Sequence, residues 1–434
     1  MYTRRGYLKW TAASVMGVAN LAGCSSNQDD AEKTTNNQKT QSESTPLEIQ
    51  HSWNLAAEKD AADSVFDGFQ EFHPDVELDE QVVSGRGGGD LKTVVKKRII
   101  DNNPPDSWQS WSGQNLRTYV DAGTLQSLQN EAESRKIKWD VFSSISKDLS
   151  KIDGSFVAVP LSIHRLNNLF YNIEILEESG IDPQAIQTPH ELVNTVEIVE
   201  ETTDAVGVVH PTKNVWPTLE LWESMLLGEY GLETHQAIGD EEILSNKRAV
   251  SESLRLADKY HEQSPDGIVP INWREAAKQF QNGNVAFFHQ GDWAAAEFQT
   301  DDFEFEADWS CIAFPGTKDQ YLLSMDSFPF PRNSSSVTAL SEFLQYVSTV
   351  ETQKRFTQRR GSIPPRKDVP KSGYDPFFRR QMDHFRNTKS QLPSIAHGLA
   401  IPPVSRDILI NAMKDFTSTW DVEQTTQTIL TMFD

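Results

Sequence analysis

From Leu47 onward the chain alternates strand-like and helix-like patterns, and this alternation limits the fold more than any other feature. LEIQHSW (47–53) places apolar side chains at every second position, as a half-buried strand requires. From about Glu58 the period changes, and Val65, Phe66, Phe69 and Phe72 fall on one helical face. VELDEQVV (76–83) reads as a strand again. The loop SGRGGGD (84–90) then leads into a helix at Leu91–Ile100, with Asp90 in the N-cap position. This order builds an α/β lobe with largely parallel strands.

The texture continues to the end. Thr188, Pro189 and Glu191 form a capping box with proline at the first helical position, opening a helix through Glu201. WPTLELWESMLLGEY (216–230) is helical, with Leu219, Trp222, Met225 and Leu226 on its apolar side. VSESLRLADKYHEQ (250–263) and REAAKQFQNG (274–283) predict two more helices, and LSEFLQYVSTVETQKRFTQRRG (340–361) a helix pair. GSFVAVPL (154–161) and VAFFHQGDW (285–293) are strands, the second delivering Asp292 and Trp293 at its end. No internal repeat is present. At 434 residues the chain exceeds what one core supports, so two α/β lobes are expected.

The first 46 residues are not part of that fold. MYTRRGYLKWTAASVMGVANLAGCSS has a basic start, a weakly apolar stretch and a small-residue end, which is an export signal occupying residues 1–23. It is too short and too interrupted by Thr11, Ser14 and Asn20 to span a membrane. TRRGYLK resembles a twin-arginine motif. LAGC (21–24) resembles a lipobox, which makes Cys24 the lipidated first residue of an exported protein held on the outer face of the cytoplasmic membrane. Residues 24–46 are a polar tether spanning about 25 Å at coil dimensions. With Cys24 lipidated, Cys311 in WSCIAF has no intrachain partner and reads as an inert core thiol.

Charge removes several classes of function. The formal charge is −23, from 40 basic and 63 acidic residues, which repels nucleic acid and suits a high-salt environment. Gly85, Gly87, Gly88 and Gly89 precede a helix, but the loop lacks the Gly-Lys-Ser/Thr of a phosphate loop and the third glycine of a dinucleotide fingerprint. It can still bring backbone close to a neutral ligand. The ten histidines form no metal-ligand spacing, so no metal and no cofactor are expected. No GxSxG is present, and Asn333-Ser334-Ser335 is a lone glycosylation sequon.

What recurs is indole and carboxylate outside the regular elements: Trp53, Glu58, Trp108, Trp111, Trp273, Asp292, Trp293 and Asp326. A sugar has apolar C–H faces, which a tryptophan can cover, and vicinal hydroxyls, which a carboxylate can accept in pairs. Any one tryptophan is more often core packing; the set points to carbohydrate. A glycoside hydrolase would use the same residue types, with two carboxylates as acid and base or nucleophile.

At AVPLSIHRLNNLFYN (Ala158–Asn172) the chain resembles the family 1 extracellular solute-binding proteins, sugar-binding components of ATP-driven importers, and within them the glucose/mannose-binding members. The resemblance runs from Leu47 to the end through NNPPDSWQSWSG, AVPLSIHR, LWES, GDWAA, FPGT, MDSF, RGSI and AHG. It implies a two-lobed type II periplasmic-binding-protein fold with three interlobe crossings, near Pro160–Arg165, Gln290–Trp293 and Val347–Glu351. Lobe I would be 47–160 with 291–348, and lobe II 161–290 with 349–434. The cleft would be lined by Trp53, Glu58, Gly85, Gln109 and Trp111 from the first lobe, and by Trp222 and Trp273 from the second. Asp292 and Trp293 would emerge at a crossing, and Asp326, Arg360 and His397 would reach in from later segments. The resemblance further implies a monomer that hands a glucose-like sugar to permease subunits and their ATPase. Trp111 stands where close glucose binders carry histidine, and Ser52-Trp53 where they carry two tryptophans.

Overall fold

A computed structural model describes residues 45–431 except 55, 86–87, 131–135, 240, 266–268 and 299–302. The signal, Cys24 and the tether up to residue 44 lie outside the described residues.

β1 (Leu47–His51) buries Leu47 and Ile49 and pairs in parallel with β2 (Leu78–Val82) and β3 (Ser107–Trp108), in the order β2-β1-β3. Helix α1 (Ala56–Phe72) covers this sheet through Val65, Phe66 and Phe69. Phe72, expected on the same face, is 60% exposed at the last position of the helix, where its ring meets Tyr346 at 5.7 Å. Helix α2 (Gly89–Ile100) starts after Gly88, whose φ of 87° is a left-handed cap that glycine adopts without strain. Asp90 is therefore not the N-cap but a first-turn acid, and its carboxylate occupies the space where Gly85 has no Cβ.

After β4 (Ser110–Trp111), the hairpin β5 (Lys151–Ile152) and β6 (Ser155–Phe156) leads into β7 (Ala158–Arg165), eight residues buried without exception. β8 (Asn168–Asn172), β9 (Val206–Val208), β10 (Val285–Gln290) and β11 (Trp309–Ala313) form a second sheet, ordered β11-β8-β10-β9. β12 (Gln320–Pro329) pairs with β13 (Ser390–Pro393) at its start, with β4 near its end and with β7 along most of its length. Pro160 sits inside this pairing without a backbone N–H to give. The register shifts there, leaving Leu161 unpaired while Ser162 faces Asp326 and Pro160 faces Ser327.

The sheets move two expected boundaries. β11 hydrogen-bonds β8, so residues 309–313 share a sheet with the strands assigned to lobe II rather than joining lobe I after 291. The chain leaves that sheet along β12. Helix Val350–Arg360 then packs on α1, with Phe356 4.8 Å from Trp53, instead of passing to lobe II at 349. The backbone next meets β7 at the Ile163–Ile363 bridge.

The Thr188 capping box forms as read, opening helix Pro189–Thr202. Helix Val215–Ala237 crosses the loop at Gly316 so closely that a Cβ there would lie 2.0 Å from the Gly228 carbonyl oxygen. Cys311 is buried in β11, and burial raises its thiol to about 11, which makes it inert at neutral pH. Among the described residues no helix is long and apolar enough to cross a membrane.

Candidate functional site

The bulge in the β7–β12 pairing decides which polar groups meet. Ser162 and His164 alternate onto one face of β7, and Asp326 faces them from β12. His164 Nδ1 lies 2.7 Å from Asp292 Oδ1, while its Nε2 is 3.8 Å from Asp326 Oδ2 and hydrogen-bonds nothing. Arg165 N donates to Asp292 Oδ2 at 3.0 Å. Asp326 accepts from Gln109 Nε2 at 3.1 Å and from Ser162 Oγ at 3.3 Å. Gln109 Oε1 in turn accepts from Ser52 N and Oγ, at 3.0 and 2.8 Å. Two polar groups therefore face each other, Ser52–Gln109–Asp326–Ser162 and His164–Asp292–Arg165, separated by the 3.8 Å between Asp326 Oδ2 and His164 Nε2.

Burial raises the pKa of Asp292, and the neighbouring His164 and the Arg165 N–H oppose that rise. Both its oxygens are taken by protein donors, so it holds His164 rather than presenting a free carboxylate. Asp292 is also fully buried, so in this arrangement it positions His164.

Trp293 begins a short helix, Ala294–Glu297, and its ring adjoins the His164–Asp292 group. It lies 5.3 Å from His164, 5.9 Å from Trp216, 6.1 Å from His397 and 6.5 Å from Trp273. His397 in turn meets Trp111 edge to face at 4.7 Å. Gly361 makes the close approach possible, since a Cβ there would lie 2.7 Å from Ala296.

His397 is 8% exposed, and burial first, then the charge of Arg406, holds its imidazole well below the usual range. Its Nε2 is 3.4 Å from Glu220 Oε1. Burial first, and then the neighbouring Glu223, push the Glu220 carboxyl well above the usual carboxylate range. Glu223 is held by His235 Nε2 at 2.8 Å, Ser394 Oγ at 2.8 Å, Ile395 N at 2.6 Å and Ala396 N at 3.0 Å.

A second charged group borders the aromatics. Glu58, in the first turn of α1, pairs with Arg360 at 3.2 Å and with Arg274 at 3.3 Å. Arg274 also reaches Glu297 at 3.2 Å and lies over the Trp273 ring, 4.5 Å from its centroid.

Of the expected residues, Gln109, Trp111, Asp292, Trp293, Asp326 and His397 come together, with Glu58, Trp273 and Arg360 at the border. Trp53 is instead a core residue against Phe328 and Phe356, and Trp108 packs on Tyr119. Trp222 is buried with Leu219, Ile395 and Met413. Gly85, with φ 122°, is an exposed loop residue beside Asp90. His164, Ser162, Trp216, Glu220 and Arg274 were not singled out. His164 stood inside AVPLSIHR, and Glu220 one helical turn before Glu223, but nothing local marks either as facing a site.

Buried polar atoms without a hydrogen bond are found here: His164 Nε2, His397 Nδ1, Glu220 Oε2, Gln290 Nε2, Arg360 Nε and Ser362 Oγ, while Glu220 Oε1 has only the His397 contact at 3.4 Å. Buried polar groups are normally satisfied, so these atoms are available to a ligand; others, among them His210 Nδ1, His261 Nδ1 and Ser264 Oγ, lie away from the rings. A cavity of about 550 Å³ lies elsewhere, lined by His210, Asp258, His261, Glu262 and Trp420 among others, and none of the expected residues borders it. The convergence of aromatic rings and unpartnered polar atoms, rather than open volume, identifies the candidate site. Among the described residues no metal-binding group of His, Cys, Asp and Glu is present.

The profile of the family described as bacterial extracellular solute-binding protein matches residues 64–380. A xylose/arabinose-binding protein of Haloferax volcanii is 28% identical over 387 residues, covering 88% of this chain and 83% of its own. An extracellular-binding protein of an ABC transporter from Pyrococcus horikoshii is 29% identical over 388 residues, covering 88% and 86%. Among solved structures, a bacterial solute receptor with an exclusive preference for β-D-galactopyranose superposes with a TM-score of 0.74 at 18% identity, covering 88% of this chain and 96% of its own. The fold is thus the two-lobed type II periplasmic-binding-protein fold.

Proposed function

The chain belongs to the bacterial extracellular solute-binding protein family, whose members are receptors and not enzymes, and on that premise we propose that it is the sugar receptor of an ATP-driven importer. The observation that carries this reading is the gathering of unpartnered polar atoms around Trp293 and His397, flanked by Trp111 and Trp273. Indole faces suit the C–H face of a pyranose, and the orphaned donors and acceptors suit its hydroxyls. The xylose/arabinose-binding relative supports the same ligand class.

The ligand is a mono- or small oligosaccharide, with a glucose-like hexose first among them. We place lobe I at 45–158 with 329–360 and lobe II at 165–319 with 368–431, joined by β7, β12 and residues 361–367, of which 365–367 pair with 141–143 of lobe I. Sugar touches both lobes only when they close, and the closed form docks on a permease that opens it. Cys24 anchors the protein, a monomer exported by the twin-arginine route, to the outer face of the membrane.

Titration calorimetry with glucose, mannose, galactose, xylose, arabinose and maltose tests the reading, each sugar being checked afterwards for breakdown. One-to-one binding of a sugar recovered intact is the expected result. No heat with any sugar, from protein shown to be folded by circular dichroism, would overturn it.

A further inference from the structure

The cavity of about 550 Å³ lies wholly within segments placed in lobe II, away from the cleft, and it has its own set of unpartnered polar groups. One wall is helix Lys247–Glu262, which supplies two carboxylates. Asp258 and Glu262 stand four residues apart, hence on one face of the helix, with His261 between them. Neither carboxylate has a hydrogen bond or an ion pair among the described residues, and no lysine or arginine borders the cavity. Burial first, and then the neighbouring Glu262, push the Asp258 carboxyl up to about 6.

The other polar groups add acceptors. His210, two residues beyond β9, is 5% exposed. Its Nε2 meets Thr218 Oγ1 at 2.9 Å, which leaves Nδ1 without a partner. The ring centroids of His210 and His261 are 5.9 Å apart, and His261 Nδ1 and Ser264 Oγ are unpartnered as well. Burial lowers both imidazoles from their ordinary 6.5, so at neutral pH they bring lone pairs and no positive charge.

This composition selects a ligand class. An anion meets no cation here. A metal ion is not served, since no group of three or more His, Cys, Asp and Glu among the described residues is placed to hold one. A sugar would use a free indole face, but Trp420 is stacked on His261 at 4.0 Å and meets Phe416 at 4.8 Å. We infer that this cavity binds a small organic cation with ammonium groups, an aliphatic amine, between Asp258, Glu262 and the two imidazoles. An ammonium has three donors and no acceptor, and its bonds to carboxylates are charge-assisted. The volume falls in the range of small-molecule sites, about 300–1,000 Å³. Because no cleft residue borders the cavity, the inference stands apart from the sugar reading.

Titration calorimetry of the purified protein at low salt tests it, with putrescine, spermidine and butanediol as a neutral counterpart. The acidic surface also attracts amines loosely, so stoichiometry and variants carry the answer. Putrescine or spermidine should bind one to one, and butanediol should give no heat. Asp258→Asn and Glu262→Gln should each weaken amine binding by about tenfold or more. Both should unfold at the same urea concentration as wild type or higher, because each removes one of two like charges. No saturable binding of either amine to folded protein would overturn the inference. So would an amine affinity unchanged in both variants, which would mean adsorption to the acidic surface, or butanediol binding as tightly as putrescine.

Discussion

His164 Nδ1 and Asp292 Oδ1 lie 2.7 Å apart, joining a strand residue of β7 to the turn after β10. The second oxygen of Asp292 accepts the Arg165 N–H at 3.0 Å, and Asp292 N donates to the Arg165 carbonyl at 2.9 Å. Asp292 is thus a clamp between two segments as well as the orienter of an imidazole whose Nε2 is free for a ligand.

Asp292→Ala should accordingly lower stability and affinity together. It leaves the His164 and Arg165 donors buried without an acceptor, a loss of about 2–4 kcal/mol. Urea unfolding measures the first effect and calorimetry on the folded variant the second. Wild-type stability with reduced affinity would mean that Asp292 touches sugar directly and the clamp is unimportant.

Trp222 and Trp293 separate packing from recognition. Trp222 is buried among Leu219, Ile395 and Met413, so Trp222→Ala should cost about 3–5 kcal/mol of stability. The milder Trp222→Phe should leave sugar affinity within about threefold of wild type, since no ring of the aromatic cluster touches it. Trp293→Phe shrinks the plane shared by His164, Trp216 and His397 and should weaken sugar binding by about tenfold or more. Intrinsic fluorescence titration of the two phenylalanine variants compares them, and equal losses of affinity would refute the division.

The buried imidazoles make the fold acid-sensitive. Burial holds His289 at about 3 and His210 well below its ordinary 6.5. Each binds a proton in the unfolded chain but not in the folded one, so stability present above pH 6.5 is lost as pH falls below it, for His289 down to about 3. Each contributes a slope of about 1.4 kcal/mol per pH unit in that window. Glu220 acts in the opposite sense: its folded pKa is raised, so the stability it contributes is present at low pH and lost as pH rises through that value. Between pH 5 and 6.5 the raised carboxyls of Glu220 and of Asp258, at about 6, oppose the imidazoles. The comparison of wild type with His289→Gln therefore isolates the imidazole, and denaturant unfolding should show the pH slope reduced by up to one proton in the variant. A slope unchanged by the substitution would mean that His289 is not the proton acceptor.

How much of this could be read from the chain depends on range. Elements with local signals were legible: the Thr188 capping box, the alternation of β1 and the apolar run of β10 all stand where the residues place them. Asp90 was misplaced because Gly88 starts α2 through its backbone, which leaves no side-chain signature. The lobe boundary near 291 was misplaced because β11 and β8 pair across more than a hundred residues, and nothing within WSCIAF names its partner. The site divides the same way. Trp111, Trp293 and His397 were singled out by residue type and motif, but the same criteria chose Trp53 and Trp222, which three-dimensional packing assigns to cores. Residue type cannot tell an indole facing a cleft from one facing a sheet. Conversely His164 and Glu220 acquire their roles only through partners distant in sequence, Asp292 and His397.

Glu58 offers the last test, because its carboxylate joins elements assigned to opposite lobes. It meets Arg360 on the helix that packs against α1, and Arg274 on helix Trp273–Gln281, which lies beside β10. The contact with Arg274 can form only when the lobes are together, whereas that with Arg360 persists in both arrangements. Glu58 and Arg274 side chains are 19% and 28% exposed, so their pairing is worth about 1 kcal/mol at low salt. Arg274→Gln should therefore shift the free protein toward the open form and weaken sugar binding by about fivefold, with little change in unfolding free energy. The radius of gyration from small-angle scattering should rise in the unliganded variant and return to the wild-type value at saturating sugar. Molar salt should shrink the difference between variant and wild type by screening the pair. An affinity and a scattering profile both equal to wild type at low salt would show that closure does not depend on this contact, leaving Arg274 to hold only Glu297 within its own lobe.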